Sequence, residues 1–343
     1  MFDDPGSRFL PQTDGRSVRR SGPFLFLFLL LPAVLLTACT EYTMETTVNP
    51  DGSGLRVERI EASENSDVNV SPESFQALMH TSQEEGWSHS QETDDEGEPI
   101  HVFRRRTEME DLAGWAALDG KVRISGTVRT AGSRTRGYVR MDDVRFYNDL
   151  HLRMAADSEG FTSFTYREVF QWDRAVDALV ELLMAELDAE LAMRFPDLRV
   201  GERGQVVGFA RARFWIAVEE GLLSEDADED QLLREVVQRT AEQGIKVIQM
   251  RHPGAQQDLL ERILTETLVD SDDRLVQFLE EELPGLNLAL NSEIVFRLNL
   301  PGRVTRSNAH DRENGTLIWK FSPGDALEGP IEVFAEAELG GVM

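Results

Sequence analysis

Apolar and polar residues alternate along both terminal parts of the chain. Val144–Met154 is the clearest case, because Phe146 and Leu150 share one face while Arg145 and His151 share the other. A period of two is typical of a half-buried antiparallel strand. The segment 293–300 alternates in the same way. The pattern therefore predicts β-rich structure before residue 172 and after residue 290.

In the middle of the chain the apolar spacing becomes that of helices. Apolar residues recur every three or four positions up to Pro196, at Trp172, Val176, Leu179, Leu183, Leu187 and Leu191. One face of an amphipathic helix requires this spacing. Further helices are predicted at Gln205–Leu223, Asp228–Gln249 and Ala255–Leu268, and another from about Ser271.

Turn residues divide the terminal parts into hairpins and short helices. Thr43–Val48 and Leu55–Ile60 flank a turn rich in Pro, Asp and Gly, which predicts a hairpin. Trp87–Thr93 and Ile100–Thr107 flank an acidic turn and predict a second one. Ser71 and Pro72 suit a helix start. The remaining predicted elements are a helix from Pro72 to about Gly86, a short helix at Met109–Leu118, and strands at Val122–Arg129, Tyr138–Ala155, Phe161–Phe170, Val304–Ser307, Thr316–Phe321 and Ile331–Leu339.

This order of elements predicts an α+β fold. The antiparallel β-rich unit is built from N- and C-terminal strands, which complete one sheet, and a helical segment is inserted between them. The predicted parts are a cleaved signal peptide at 1–38, an N-terminal β-rich part with two short helices at 39–171, a helical insertion at 172–290, and C-terminal strands at 291–343.

A thirteen-residue apolar run, residues 24–36, lies just before the only cysteine of the chain, Cys39. A membrane-spanning helix needs about 20 apolar residues, whereas the core of a signal peptide has about 7–15. Leu36-Thr37-Ala38-Cys39 resembles the lipobox of bacterial lipoprotein precursors. The resemblance implies cleavage between Ala38 and Cys39 and acylation of Cys39, with palmitate as a typical chain. The alternative is an ordinary cleaved secretory signal with an incidental cysteine. Acylation is favoured because Cys39, as the single cysteine, has no partner for an internal disulfide.

The predicted anchor also predicts a location. Each buried CH2 contributes about 0.8 kcal/mol and one acyl chain binds only reversibly, so two or three chains would hold permanently. Thr40 stands where an Asp commonly retains Gram-negative lipoproteins at the inner membrane. We therefore expect the outer membrane, facing the periplasm, with the outer leaflet of the plasma membrane as the alternative. About three residues separate Cys39 from the first predicted strand, so the domain should sit close to the membrane.

The first residues are unusual for a signal peptide. Residues 1–22 include three Asp, whereas the first segment of a signal is normally basic. Translation from a site near Val18 would give a more ordinary leader than translation from Met1.

A net charge of −27 argues against binding nucleic acid or lying flat on anionic lipid. The sequence assigns no catalytic, cofactor-binding or metal-binding residue. The histidines His80, His89, His101, His151, His252 and His310 form no closely spaced ligand motif. His89 and His101 can approach each other across the second hairpin, but exposed imidazoles are the favoured interpretation. There is no G-x-S-x-G motif.

Three further features have one structural and one functional interpretation, and the structural one is favoured for each. Asp226–Asp230 lacks the Gly and Glu of a calcium loop and predicts a helix N-terminus. The basic stretches Arg104–Arg106 and Lys121–Arg153 predict either a patch for lipid head groups or an acidic partner, or strand faces paired with acidic helices. Three aromatic residues predict either a helix core or a ligand groove, namely Phe209, Phe214 and Trp215.

Two phrases near the ends of the chain resemble uncharacterised bacterial lipoproteins, including the LppM-type group. The first is Thr47–Gly54, and the second combines Leu300–Asn308 with Asn314–Phe321. Asn314-Gly315 is a hairpin turn signal. The resemblance implies a lipoprotein and a local β structure, but no activity.

These observations lead to two functional hypotheses. The first is a non-enzymatic binding or assembly protein of the cell envelope, without a cofactor, which binds the membrane through Cys39 and has a protein or lipid partner. The second is an envelope hydrolase whose site is assembled only on folding.

Overall fold

Two β-sheets share one hydrophobic core in the computed structural model of the protein, and a group of helices has a second core. The structure describes residues 41–63, 72–94, 97–125, 145–156, 161–222, 228–269, 289–290 and 292–340. Cys39, the residues of the predicted leader and the helix predicted from Ser271 lie outside these ranges. The fold is α+β, as predicted.

Twelve strands are found in the described ranges. In chain order, β1 to β12 are Glu41–Val48, Gly54–Ser63, Ser88–Thr93, Pro99–Met109, Arg123–Ser125, Arg145–Ala156, Thr162–Asp173, Glu293–Asn299, Arg303–Ser307, Asp311–Glu313, Thr316–Phe321 and Ile331–Leu339. The short β10 was not predicted from the sequence. Both predicted N-terminal hairpins are present, as β1–β2 and β3–β4.

Strands from the two ends of the chain mix in both sheets. The seven-stranded sheet has the order β10-β11-β8-β1-β2-β4-β3, and the five-stranded sheet has the order β5-β6-β7-β12-β9. Among these strands only β1 and β8 pair in parallel. The predicted completion of the β-rich unit by C-terminal strands is confirmed, but the prediction of one sheet is wrong. The alternation of apolar residues places a strand in a sheet, and it does not say in which of two sheets.

The α-helices among the described residues are α1 Pro72–Met79, α2 Ala175–Arg194, α3 Val200–Glu219, α4 Glu229–Gln249 and α5 Gln257–Leu268. The last four form the helical unit. Its core is separate from that of the sheets and includes Leu187, Val206, Phe214 and Ile248. The predicted helical insertion is therefore confirmed as a structural unit.

Helix α1 is shorter than the sequence predicted. It ends at Met79 because His80 adopts a left-handed conformation with φ 51°. The backbone N–H of Thr81 then donates to the carbonyl of Gln76 at 3.1 Å, which closes the helix end in the manner of a Schellman motif. The helix therefore does not reach Gly86, which ends a separate 3-10 turn at Gln83–Glu85.

Two other helix boundaries differ from the prediction. The residues predicted as a helix at Met109–Leu118 form the end of β4 and a 3-10 helix at Leu112–Leu118. Trp172 belongs to β7 rather than to a helix, and its indole N–H donates to the carbonyl of Pro323 at 2.7 Å. An apolar residue at this position satisfies the helical spacing of α2, but its side chain is partly buried and packs against the core of the sheets.

The phrases that resemble lipoproteins each contain a turn, and the first turn is held by a tryptophan. The Trp115 indole donates to the carbonyl of Gly52 at 2.9 Å, and a Cβ on Gly54 would lie 2.3 Å from the Trp115 ring. Asn314 and Gly315 both have positive φ, 50° and 97°. A two-residue hairpin turn of this kind connects β10 to β11, as the sequence predicted.

Candidate functional site

One end of the β structure carries both connections to the helical unit. We call it the anchor end and define it by Glu41, Asp173, Glu293 and Phe321. Glu41, the first residue of β1, lies opposite Glu293, the first residue of β8. β11 ends there at Phe321, opposite Ile294. β7 ends there as well, because the ring of Phe170 lies 4.9 Å from that of Phe321.

The predicted lipidation site is close to β1 in the sequence. Only Thr40 stands between Cys39 and β1, so the spacing is shorter than the three residues predicted from the sequence. Cys39 itself lies outside the described residues, and β1 is paired with β8, the strand to which the chain returns from the helical unit.

A groove of about 250 Å³ lies at the anchor end, between the sheets and the helical unit. The end of β7, the first turn of α2 and the loop before β12 form its walls. Its lining includes Trp172, Val176, Trp215, Leu327 and Pro330. Small-molecule sites commonly measure about 300–1,000 Å³. The groove therefore suits one segment of a ligand rather than a whole drug-sized molecule.

The groove is amphipathic. Arg174 and Asp177 line it together with the two indole rings, and their side chains lie 3.9 Å apart as an exposed ion pair. Arg174 precedes α2 in a left-handed conformation with φ 61°. Such a lining suits a ligand with one apolar and one polar part.

A fully buried ion pair joins the two sheets. The guanidinium of Arg56 on β2 donates to both carboxylate oxygens of Glu168 on β7, at 2.9 and 2.6 Å. It also donates to the Tyr166 hydroxyl at 2.6 Å and to the Thr46 hydroxyl at 3.0 Å. Asn148 donates to Glu168 at 2.6 Å. No buried side-chain nitrogen or oxygen of this cluster is thus without a hydrogen-bond partner.

A second buried pair lies within the seven-stranded sheet. Arg105 donates to the two oxygens of Glu58 at 2.6 and 2.8 Å, and the Tyr42 hydroxyl donates to Glu58 at 2.6 Å. The Arg105 guanidinium also lies 4.6 Å from the centre of the Trp87 ring, in a cation–π contact.

The pKa directions in these clusters follow from burial and pairing. Burial raises the pKa values of Tyr42 and Tyr166 well above their usual range, so both stay neutral donors. Burial disfavours the charged forms of Arg56 and Arg105, but the adjacent carboxylates more than offset this and the pKa values of both arginines are raised. Both clusters are closed to solvent, so we assign them to the packing of the sheets rather than to ligand binding.

The histidines are dispersed, with one exception. Nε2 of His89 lies 2.9 Å from Nδ1 of His101, across the β3–β4 hairpin. The approach that the sequence allowed is therefore present. His151 lies 3.2 Å from Asp149 on an exposed strand face. No histidine is among the residues that line the groove.

The acidic run before α4 is a helix start. The side chain of Asp228 accepts a hydrogen bond from the backbone N–H of Gln231, which caps α4. Residues 223–227 lie outside the described ranges. Within those ranges, no group of three or more His, Cys, Asp or Glu side chains is arranged to hold a metal ion.

The first basic stretch pairs with carboxylates on strands, two of them on neighbouring strands and one, Glu108, on β4 itself. Arg104 contacts Glu92, Arg105 contacts Glu58 and Arg106 contacts Glu108. Hydrogen bonds from Arg104, then from Ser90, lower the pKa of Glu92 to about 2. The preferred interpretation of paired strand faces thus holds for this stretch, but the partners are on strands and not on helices.

The second basic stretch is only partly described, because residues 126–144 lie outside the described ranges. In its described part, Lys121 lies 3.5 Å from Glu85, and Arg145 lies 3.6 Å from Asp173.

The three aromatic residues of α3 contribute to the helical core. Phe214 is buried in the helical core and Phe209 packs against it. Trp215 lines the groove. Trp215 also packs against the helical core, so the interpretation as core residues is confirmed for all three, and the interpretation as a ligand groove stays a prediction.

No helix in the described part of the chain is both long enough and apolar enough to cross a membrane. No family model matches the chain, and no curated protein matches it. Among solved structures, the chain has a weak similarity to the NMR structure of the folded domain of LppM from Mycobacterium tuberculosis. The identity is 11%, the TM-score is 0.24, and the alignment covers 89% of this chain and 91% of that one. We draw no conclusion from a similarity of this size.

Proposed function

We propose that this chain is a lipoprotein of the bacterial cell envelope that is anchored through acyl chains on Cys39 and acts as a non-enzymatic binding protein at the membrane surface. The observation that carries the proposal is the position of β1. It begins two residues after Cys39, at the end of the sheets that also carries the groove and the helical unit. An anchor of this length holds that end against the lipid.

The position of the groove favours a ligand from the membrane. Trp172 and Trp215 supply aromatic surface, while Arg174 and Asp177 supply charges. Tryptophan is favoured where one part of a site is apolar and another is wet, as at a membrane interface. The proposed ligand is therefore an amphiphile, with part of its apolar chain in the groove and its polar group near the ion pair.

The envelope hydrolase remains the alternative. It requires a cleft in which a nucleophile, a base and an orienting group meet. The groove contains no histidine, and the His151–Asp149 contact lies on an exposed strand face. These positions favour binding over hydrolysis. Activity-based probing with a fluorophosphonate checks the alternative, since covalent labelling of the purified protein would support a serine hydrolase.

Cys39→Ser is expected to abolish membrane attachment. A serine hydroxyl is not a substrate for thioether formation, so neither acylation nor cleavage before residue 39 would follow. Labelling with radioactive palmitate and membrane fractionation measure both effects. Thr40→Ser, one residue away, is the control and should be labelled and retained like the natural chain. Normal labelling and maturation of Cys39→Ser would refute the anchor.

Trp215→Ala is expected to reduce the bound amphiphile several-fold, because it removes one aromatic wall of the groove. Native mass spectrometry of the protein purified from membranes in mild detergent measures the lipid-bound fraction. Phe209→Ala, on the same helix but outside the groove lining, is the matched control. Equal lipid-bound fractions in both variants and the natural chain would refute the groove as the binding site and leave the anchor test unaffected.

A further inference from the structure

His89 and His101 face each other on one surface of the β3–β4 hairpin. In the strand register His89 lies opposite Phe103, and Gln91 lies opposite His101. The two histidines are therefore diagonal neighbours, with side chains on the same face of an antiparallel pair. Their nearest ring nitrogens, Nε2 of His89 and Nδ1 of His101, are 2.9 Å apart.

This separation matches two ligands of one metal ion. An imidazole nitrogen lies about 2.0–2.1 Å from a bound transition metal, so two adjacent ligands are separated by about 2.9 Å at a right angle and about 3.4 Å at a tetrahedral angle. The observed 2.9 Å lies at the lower end of this range. In the absence of metal this contact is a hydrogen bond between the two rings, and a bound ion would replace its proton and accept a lone pair from each nitrogen.

The site is held by the core and open to solvent. The ring of His89 stacks on that of Phe103, with centroids 4.7 Å apart and planes at 15°. Phe103 is completely buried, so it fixes the position of His89 from below. His89 itself is exposed. A preorganised ring needs less ordering when a metal binds.

The local electrostatics also suit a cation. The carboxylate of Glu73, in the first turn of α1, is close enough to interact electrostatically with His89. A negative charge near the pair would offset the charge of a bound ion.

We propose that His89 and His101 form a two-histidine site for a divalent transition-metal ion of the Cu²⁺, Ni²⁺ and Zn²⁺ class. Because the described residues contain no group of three metal-ligating side chains, water or an external ligand fills the other positions. Such an open site exchanges its metal and does not support the fold. Imidazole ligands and the usual order of stabilities favour Cu²⁺ as the tightest of the three.

Titration of the full-length chain carrying Cys39→Ser with CuCl₂ tests the proposal, because this background has no thiol. Calorimetry should show one site per chain, and the electron paramagnetic resonance spectrum should show coupling to two nitrogens. His89→Ala and His101→Ala should each lower the affinity at least tenfold and leave coupling to one nitrogen at most. His151→Ala, an exposed histidine on β6, is the control and should bind like the background chain.

Thermal unfolding of each variant without metal checks that the hairpin still forms. His89→Gln and His101→Gln serve as second variants if an alanine variant unfolds. The absence of nitrogen coupling in the background chain would overturn the proposal. An equal loss of affinity in His151→Ala would overturn it as well, because the copper would then be bound by dispersed surface groups.

Discussion

Arg56→Met is expected to lower the free energy of unfolding by about 3–5 kcal/mol, the usual cost of leaving one partner of a buried ion pair without the other. Glu168 would be left in the core without its charged partner, and the Tyr166 and Thr46 hydroxyls would lose their contacts with the guanidinium. The side chains of Arg56 and Glu168 are 1% and 0% exposed, so water cannot replace the lost partner. Urea unfolding followed by circular dichroism measures the change.

The double variant Arg56→Met, Glu168→Leu separates the pair from its surroundings. Replacing both charges by apolar groups is often neutral or stabilising. We expect the double variant to be more stable than Arg56→Met alone, with a residual cost because Asn148 and Tyr166 also hydrogen-bond to Glu168. A double variant as unstable as the two single changes combined would show that the two residues do not act as a pair.

Arg106→Met provides the control on an exposed pair. Arg106 lies 2.9 Å from Glu108, and both side chains are more than 60% exposed. Exposed pairs contribute about 0–1 kcal/mol. The two arginines are on adjacent strands of the same sheet, β2 and β4. If Arg106→Met lost as much stability as Arg56→Met, burial would not explain the large effect expected for Arg56→Met.

Gly302→Ala is expected to destabilise the fold by about 2–5 kcal/mol, through backbone strain and overpacking together. Gly302 has φ 83°, and a Cβ there would lie 2.3 Å from the carbonyl oxygen of Glu338 on β12. The obstacle is backbone, which cannot turn away as a side chain can. The edge strand β9 would have to separate from β12. Thermal unfolding checks the expected loss.

Gly315→Ala is the matched control for Gly302→Ala. Gly315 also has positive φ, 97°, but a Cβ there would meet nothing within 4 Å. Only the conformational cost remains, about 1–2 kcal/mol. The difference between the two variants therefore measures the close approach of the two backbones. Equal destabilisation would mean that β12 moves without cost.

The segment around Gly302 was recognised as a motif in the sequence, but its structural role could not be predicted. Asn308, at its end, accepts hydrogen bonds from the Trp319 indole and from the backbone N–H of Phe334, both at 2.9 Å. Its side-chain amide donates to the carbonyl of Glu332 at 2.7 Å. Trp319 is on β11 and Phe334 on β12, so Asn308 links the two sheets. The sequence indicated a strand and a turn there, but not this link.

The buried arginines were beyond prediction for a related reason. Apolar and charged residues alternate at the start of the run Leu55–Ile60. Its even-numbered positions carry Arg56 and Glu58 as well as Ile60. Charged residues at these positions normally indicate the solvent face of a strand. They are buried here because Glu168 and Arg105 meet them from other strands. Glu168 is 112 positions away from Arg56, and no local pattern reports such a partner.

By itself, the sequence determined the elements and the candidate anchor. Most of the strands, both N-terminal hairpins, the helical insertion and the resemblance of residues 36–39 to a lipobox follow from residue types within short windows, because turn chemistry and apolar spacing act locally. Only the tertiary structure decided that the anchor end also carries the groove and the helical unit, that the strands form two sheets, and that His89 meets His101. These arrangements depend on strand register and on packing between segments that are distant in the sequence. Such contacts form only when the chain folds, so no short window of sequence reports them.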